Sequence, residues 1–158
     1  GHFKSSADFN LHPSEVTGTG WFGYTMKVYG NDQIDEVRVG VTDRLTSLLQ
    51  LRNNGQVVFE QEKGFVGKMT WGNTQKMTIE FQDEHSLKYL GKSSIFLRLY
   101  ERDGFFGDIA SMNLDLTPWG SFADSGKLAL FADSQSPDAE KPWPFSHWSV
   151  WNKYDSAD

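Results

Sequence analysis

An antiparallel β-sandwich of two sheets, with about eight or nine strands, is what the residue pattern of this chain calls for, on three observations. Apolar residues recur with period two in short runs, and no long run keeps the helical period. Aromatic residues make up 15% of the chain, with 12 Phe and 6 Trp, while alanine is scarce, a composition that suits pleated surfaces. Turn-forming residues separate the runs. The clearest is Asn53-Asn54-Gly55, where Asn-Gly tolerates the positive φ of a tight hairpin. A chain of 158 residues holds one domain with a real core. We assign 21–158 to the sandwich and 1–20, a mixture of Ser, Gly, Thr and Pro, to an irregular N-terminal lead-in.

The elements follow in order. Tyr24 to Tyr29 and Ile34 to Val41 alternate as strands, with Val37, Val39 and Val41 on one face. Arg44 to Arg52 and Gln56 to Gln61 flank the Asn-Gly turn as a hairpin. Lys76 to Gln82 carries Met77, Ile79 and Phe81 on one face. A short helical turn fits 83–92, where Leu87 and Leu90 are three apart. Ser94 to Glu101 alternates Ile95, Leu97 and Leu99, and Ala110 to Leu116 alternates Met112, Leu114 and Leu116. Lys127 to Phe131 adds a strand, 134–141 is a polar connector, and Trp148 and Val150 belong to a last strand. Many short strands between turn signals are the mark of a sandwich.

Composition excludes several classes of function. The formal net charge of −6 gives no electrostatic support to a nucleic-acid partner. Zero cysteines exclude thiol catalysis, disulfides and cysteine-held zinc. His2, His12, His85 and His147 fall in no metal-ligand spacing, and no nucleophile elbow, phosphate loop or dinucleotide fingerprint is present, so the expectation is a non-enzyme. The basic pairs Arg98 with Arg102 and Lys88 with Lys92 read as solvated surface.

Chemistry concentrates between two strands. Glu101, Asp103 and Asp108 surround the tip Gly104-Phe105-Phe106-Gly107. Carboxylates so close repel one another unless solvent or a cation separates them, and oxygen ligands on a loop suit calcium. Phenylalanines at such a tip suit a membrane or a partner surface.

This segment resembles the third loop of C2 domains: Tyr100-Glu101-Arg102-Asp103 and Asp108-Ile109-Ala110 match that loop. The run Val39 to Leu51, with Asp43 opening a strand, is similar to another piece of that family, and Thr70-Trp71-Gly72-Asn73 with Met77 to Phe81 to a third. The resemblance covers 34–117, with Glu101 in place of an aspartate, Ala110 in place of glycine, and a shorter tip. It implies calcium as cofactor, held by Asp43, Glu101, Asp103 and Asp108 with Asp35 (or its neighbours Asp32 and Glu36) as the fifth ligand. It also implies that Phe105 and Phe106 enter a bilayer. The function expected on this basis is a calcium-dependent module attaching to a membrane or other surface, as the targeting domain of a larger secreted or pore-forming protein. The expected location is secreted or cell-surface, although no signal peptide is visible.

The tryptophans support an alternative. Six exceed what a small core usually holds, so some face solvent, where aromatic faces stack on sugar rings. Trp143, rigid between Pro142 and Pro144, leads the candidates, followed by Trp119 after Pro118. Trp148 and Trp151 are three apart, so a strand turns them to opposite faces. Trp143, Trp119 and Trp151 would form a carbohydrate-binding platform. A third alternative is an adhesin-type protein-interaction domain, which calls for a flat apolar patch or an unprotected edge strand.

Overall fold

Each period-two run becomes a strand whose apolar row turns inward, which leaves only one way to bury the chain: two sheets, face to face. The computed structural model describes residues 2–9, 20–42, 44–65, 75–83, 93–101, 108–134 and 145–153. Within them the strands are β1 His2–Phe9, β2 Gly20–Tyr29, β3 Glu36–Thr42, β4 Thr46–Asn53, β5 Gln56–Gly64, β6 Gln75–Gln82, β7 Ser94–Glu101, β8 Asp108–Asp115, β9 Asp124–Ser134 and β10 Phe145–Lys153. They form two five-stranded sheets, ordered β10-β1-β6-β7-β8 and β5-β4-β3-β2-β9. Every strand pairing among the described residues is antiparallel.

The inward rows meet in one core. Met77, Ile79 and Phe81 pair in register with Leu99, Leu97 and Ile95, and all six are buried. Across the layer lie Tyr24 and Met26 of β2, Val37, Val39 and Val41 of β3, and Leu49 and Leu51 of β4. Tyr24 ties the sheets together through its hydroxyl. It accepts from Ser5 Oγ and donates to the Met77 carbonyl, each at 3.3 Å, linking β2 to β1 and β6. Burial raises the pKa of that hydroxyl well above its ordinary value near 10.

One reading of the sequence is corrected. The lead-in assigned to 1–20 contains β1, which lies inside the first sheet between β10 and β6 and brings the described strands to ten. The segment escaped notice because Ser5, Ser6 and Asp8 are buried beside Ala7 and Phe9. A polar row that goes inside defeats an alternation rule built on hydrophobicity. The helical turn assigned to 83–92 lies, apart from Asp83, outside the described residues.

Two ends of the sandwich can be told apart. Asn31, between β2 and β3, donates through Nδ2 to the carbonyls of Trp119 (3.0 Å) and Ser121 (2.8 Å), just beyond β8. Its Oδ1 accepts from the backbone N–H groups of Gln33 (2.8 Å) and Ile34 (3.0 Å). The start of β3, the β4–β5 hairpin and the β7–β8 termini Ser94 and Asp115 therefore share one end. Thr42, Thr46, Glu101 and Asp108 share the other.

Candidate functional site

The sequence-predicted groups separate in space. Asp43, Asp103, Phe105, Phe106 and Trp143 lie outside the described residues. Glu101 closes β7 opposite Gln75, and Asp108 opens β8 opposite Tyr100, at the Thr42 end. Asp35 precedes β3 at the other end, where its carboxylate accepts the Asn54 N–H at 3.0 Å. From Asp35 to Thr42 the chain runs the length of β3, about 23 Å at 3.3 Å per residue. A cation held by Asp35 is therefore a strand's length from one held near Glu101 and Asp108, and the expected five-ligand set does not close on one ion. No group of three or more potential metal ligands occurs among the described residues.

The tryptophan platform is likewise divided. Trp119 follows β8 and packs its half-buried ring on Phe59, with centroids 4.8 Å apart, against the core. Trp151 belongs to β10, at the other edge of that sheet, where it pairs with Lys4. Four strand spacings, about 19 Å, separate the backbones of β8 and β10.

A different constellation forms on the outward row of the second sheet. Register places Trp21, Gly23, Thr25 and Lys27 of β2 beside Thr42, Gly40, Arg38 and Glu36 of β3. On one flank Gly23 pairs with Phe131 of β9, and on the other Arg38 pairs with Gln50 and Glu36 with Arg52 of β4. The Glu36 side chain is only 11% exposed and is held from several sides. Thr25 Oγ1 donates to Oε2 at 2.9 Å, and Arg38 Nε donates to Oε1 at 3.1 Å. Arg52 Nε and Lys27 Nζ both stand 3.7 Å from the carboxylate. Three cations therefore gather on one anion, on a surface of lowered dielectric where such contacts outweigh exposed ones.

Next to this network lies an aromatic wall. The Trp21 ring meets Phe131 edge to face at 4.8 Å, and the Arg38 guanidinium lies over Phe131 at 5.0 Å. Arg38 reaches across β2 because Gly23 places no side chain between them. The two glycines are also required by the backbone. A Cβ on Gly40 would fall 1.9 Å from the Phe22 carbonyl oxygen, and one on Gly23 would fall 2.1 Å from that of Val39. Together they leave a strip of backbone without side chains between Phe131 and Leu48, the residue opposite Gly40, and Gly23, Gly40 and Leu48 are themselves buried.

Farther along the same face, Glu62 accepts from Thr46 Oγ1 at 2.6 Å and from Arg44 Nη2 at 2.8 Å. The hydrogen bond from Thr46, then that from Arg44, holds its carboxyl below the usual carboxylate range. The pair is exposed and adds little to stability.

Sequence reasoning named Glu36 only as an alternate calcium ligand and left Trp21, Lys27, Arg38, Arg52 and Phe131 without a role. The one local signal was Glu36-Val37-Arg38, whose charged residues a strand turns to the same face. The rest depends on register between strands far apart in the chain.

No protein-family model matches the chain, and no curated protein matches it. Among solved structures it is similar to an ancestral congerin variant, with a TM-score of 0.48 and 9% sequence identity, covering 94% of this chain and 90% of that one.

Proposed function

We propose that this protein is a carbohydrate-binding module and that the sugar lies on the outward face of β2, β3 and β4. The observation that carries the reading is the juxtaposition of the Trp21–Phe131 pair with the Glu36–Arg38 network across a floor of glycine backbone. A sugar ring presents an apolar C–H face and a rim of hydroxyls. Aromatic rings cover the first, and ionised side chains locked by their own partners recognise the second without losing rotamer freedom on binding. Glu36 accepts from hydroxyls, and the cations around it donate. The chain holds the sugar and breaks no bond.

Titration calorimetry against a panel of purified oligosaccharides tests this. Saturable binding that falls at least tenfold in Trp21→Ala, with the thermal transition kept, supports the face. Binding unchanged in Trp21→Ala and Phe131→Ala, or no binding to any glycan, overturns it.

A second reading retains calcium. The strand termini Thr42, Glu101 and Asp108 lie at the same end of the sandwich, which supports one cation shared by the β3–β4 and β7–β8 connections. Asp43, Glu101, Asp103 and Asp108 would be its ligands, and Phe105 and Phe106 would meet a membrane or other surface beyond it.

A further inference from the structure

We propose that the glycan is an extended chain of several sugars laid along β2 and β9, and that Tyr29 with Asp124 forms a second subsite for its far end. The inference rests on the carbohydrate reading above and adds the length of the ligand.

The argument starts from Tyr29. Its ring is 48% exposed, one of the large apolar side chains that the described residues leave open to solvent. The others are Val57 and Val58, which lie on β5, three strands from β2. Burial alternates without a break at the end of β2: Met26 and Val28 are buried, Lys27 and Tyr29 exposed. Tyr29 therefore shares the outward face with Trp21. Phe131 stands level with Gly23. From there to Tyr29 is six positions, about 20 Å along the strand. One small sugar cannot touch both ends, but an extended chain can.

Tyr29 does not stand alone. Register puts Asp124 of β9 opposite it, so the two share a face, and Asp124 is exposed. The Asp124 carboxylate leans toward Gly30, where a Cβ would lie 3.0 Å from Oδ2. Gly30 has φ of 69°, so the backbone and the carboxylate both favour glycine there. An exposed ring beside a carboxylate repeats the chemistry at the other end of the face, where the Trp21–Phe131 pair adjoins Glu36. The ring suits the C–H face of a sugar, and the carboxylate accepts from its hydroxyls.

The track between the two ends is open. Ala129, opposite Thr25, is small and exposed. Gly126, opposite Lys27, has nothing within 4 Å of where a Cβ would sit. The Lys27 side chain is 53% exposed and 3.7 Å from Glu36, so its ammonium can donate to a hydroxyl midway without breaking a short contact. Lys127, the extra residue at the β9 register shift, is a second exposed cation beside the track. A chain already held at Trp21 and Phe131 meets Tyr29 at high effective concentration, so the second contact adds affinity that a short sugar cannot gain.

The test is titration calorimetry with cello-, xylo- and β-1,4-galacto-oligosaccharides, from disaccharide to hexasaccharide, on the wild type, Trp21→Ala, Tyr29→Ala and Tyr29→Phe. Tyr29 is exposed, so its replacement leaves the fold intact. The hexasaccharide of the series that binds should be held about fivefold tighter than its disaccharide. Tyr29→Ala should remove that gain and leave the disaccharide unchanged, and Tyr29→Phe should keep it. Affinity independent of length, a gain that survives Tyr29→Ala, or an equal loss for both lengths overturns this inference. If Trp21→Ala still abolishes binding in those cases, the carbohydrate reading stands. Absence of binding to every oligosaccharide overturns both.

Discussion

Replacing Tyr24 with phenylalanine removes one oxygen atom from the centre of the sandwich, and its effect on stability should change sign with pH. Tyr24 is 1% exposed, and its hydroxyl joins Ser5 to the Met77 carbonyl through two contacts of 3.3 Å. Both are long, so together they contribute about 1 kcal/mol near neutral pH, which Tyr24→Phe should lose. For a chain of this size that lowers the melting temperature by about 3 °C.

Alkali reverses the comparison. Burial raises the hydroxyl's pKa above its ordinary value near 10, so the folded state keeps a proton that the unfolded state gives up. Stability from that difference is fully present below the unfolded pKa and is lost as pH rises above it, at about 1.4 kcal/mol per unit. By about pH 11 the loss is about 1.4 kcal/mol, which exceeds the hydroxyl's original contribution. The two unfolding curves should therefore cross between about pH 10 and 11, with Tyr24→Phe the more stable above the crossing. The other tyrosines titrate in both proteins and cancel in the difference. Urea unfolding of both proteins at stepped pH reads it directly. A stability difference that stays constant, or that widens in favour of the wild type, would refute the argument from burial.

Three other outcomes are expected. Gly40→Ala would drive a Cβ to 1.9 Å from the Phe22 carbonyl oxygen, which moves only if β2 parts from β3. It should cost ~3 kcal/mol, about 10 °C in melting temperature, and a shift below 2 °C would show the strands can yield. Asn31→Ala deletes four hydrogen bonds, two that fasten the β2–β3 connection to the segment after β8 and two within that connection, and should cost ~2 kcal/mol by urea titration; an unchanged midpoint would make the clamp redundant. If calcium occupies the Thr42 end, millimolar calcium against EDTA should raise the melting temperature by several degrees, and Asp103→Asn should abolish the rise. An equal transition in both buffers removes the calcium reading.

Much of the fold could be read from local pattern. The rows Val37–Val41, Met77–Phe81 and Ile95–Leu99 are buried as alternation requires, and Asn54 and Gly55 take the positive φ values, 51° and 78°, that the hairpin demands. β1 could not be read, because Ser5, Ser6 and Asp8 are buried polar residues, and the partner that Ser5 meets, Tyr24, stands on a distant strand. The site was hidden for a related reason. Acidic residues look alike in sequence, whether they await a cation in a loop or already sit among arginines on a strand. Glu36 is the second kind, and only the pairing of β3 with β4 brings Arg52 to it across 16 positions of chain. Trp21 and Phe131 meet through the β2–β9 pairing, which joins the two halves of the sequence. Trp119 shows the converse. Its place after Pro118 suggested exposure, but Phe59 on the neighbouring sheet half-buries the ring.

The central claim is that the outward face of β2, β3 and β4 is where a ligand binds. Backbone amide shifts of labelled protein, followed during titration with the tightest oligosaccharide of the panel, test it most directly. The account predicts that the shifts concentrate at Trp21, Gly23, Thr25, Lys27, Glu36, Arg38, Gly40 and Phe131 while the first sheet stays still. Shifts confined to the Glu101 and Asp108 end, or to β10 and the Trp119 segment, would contradict it.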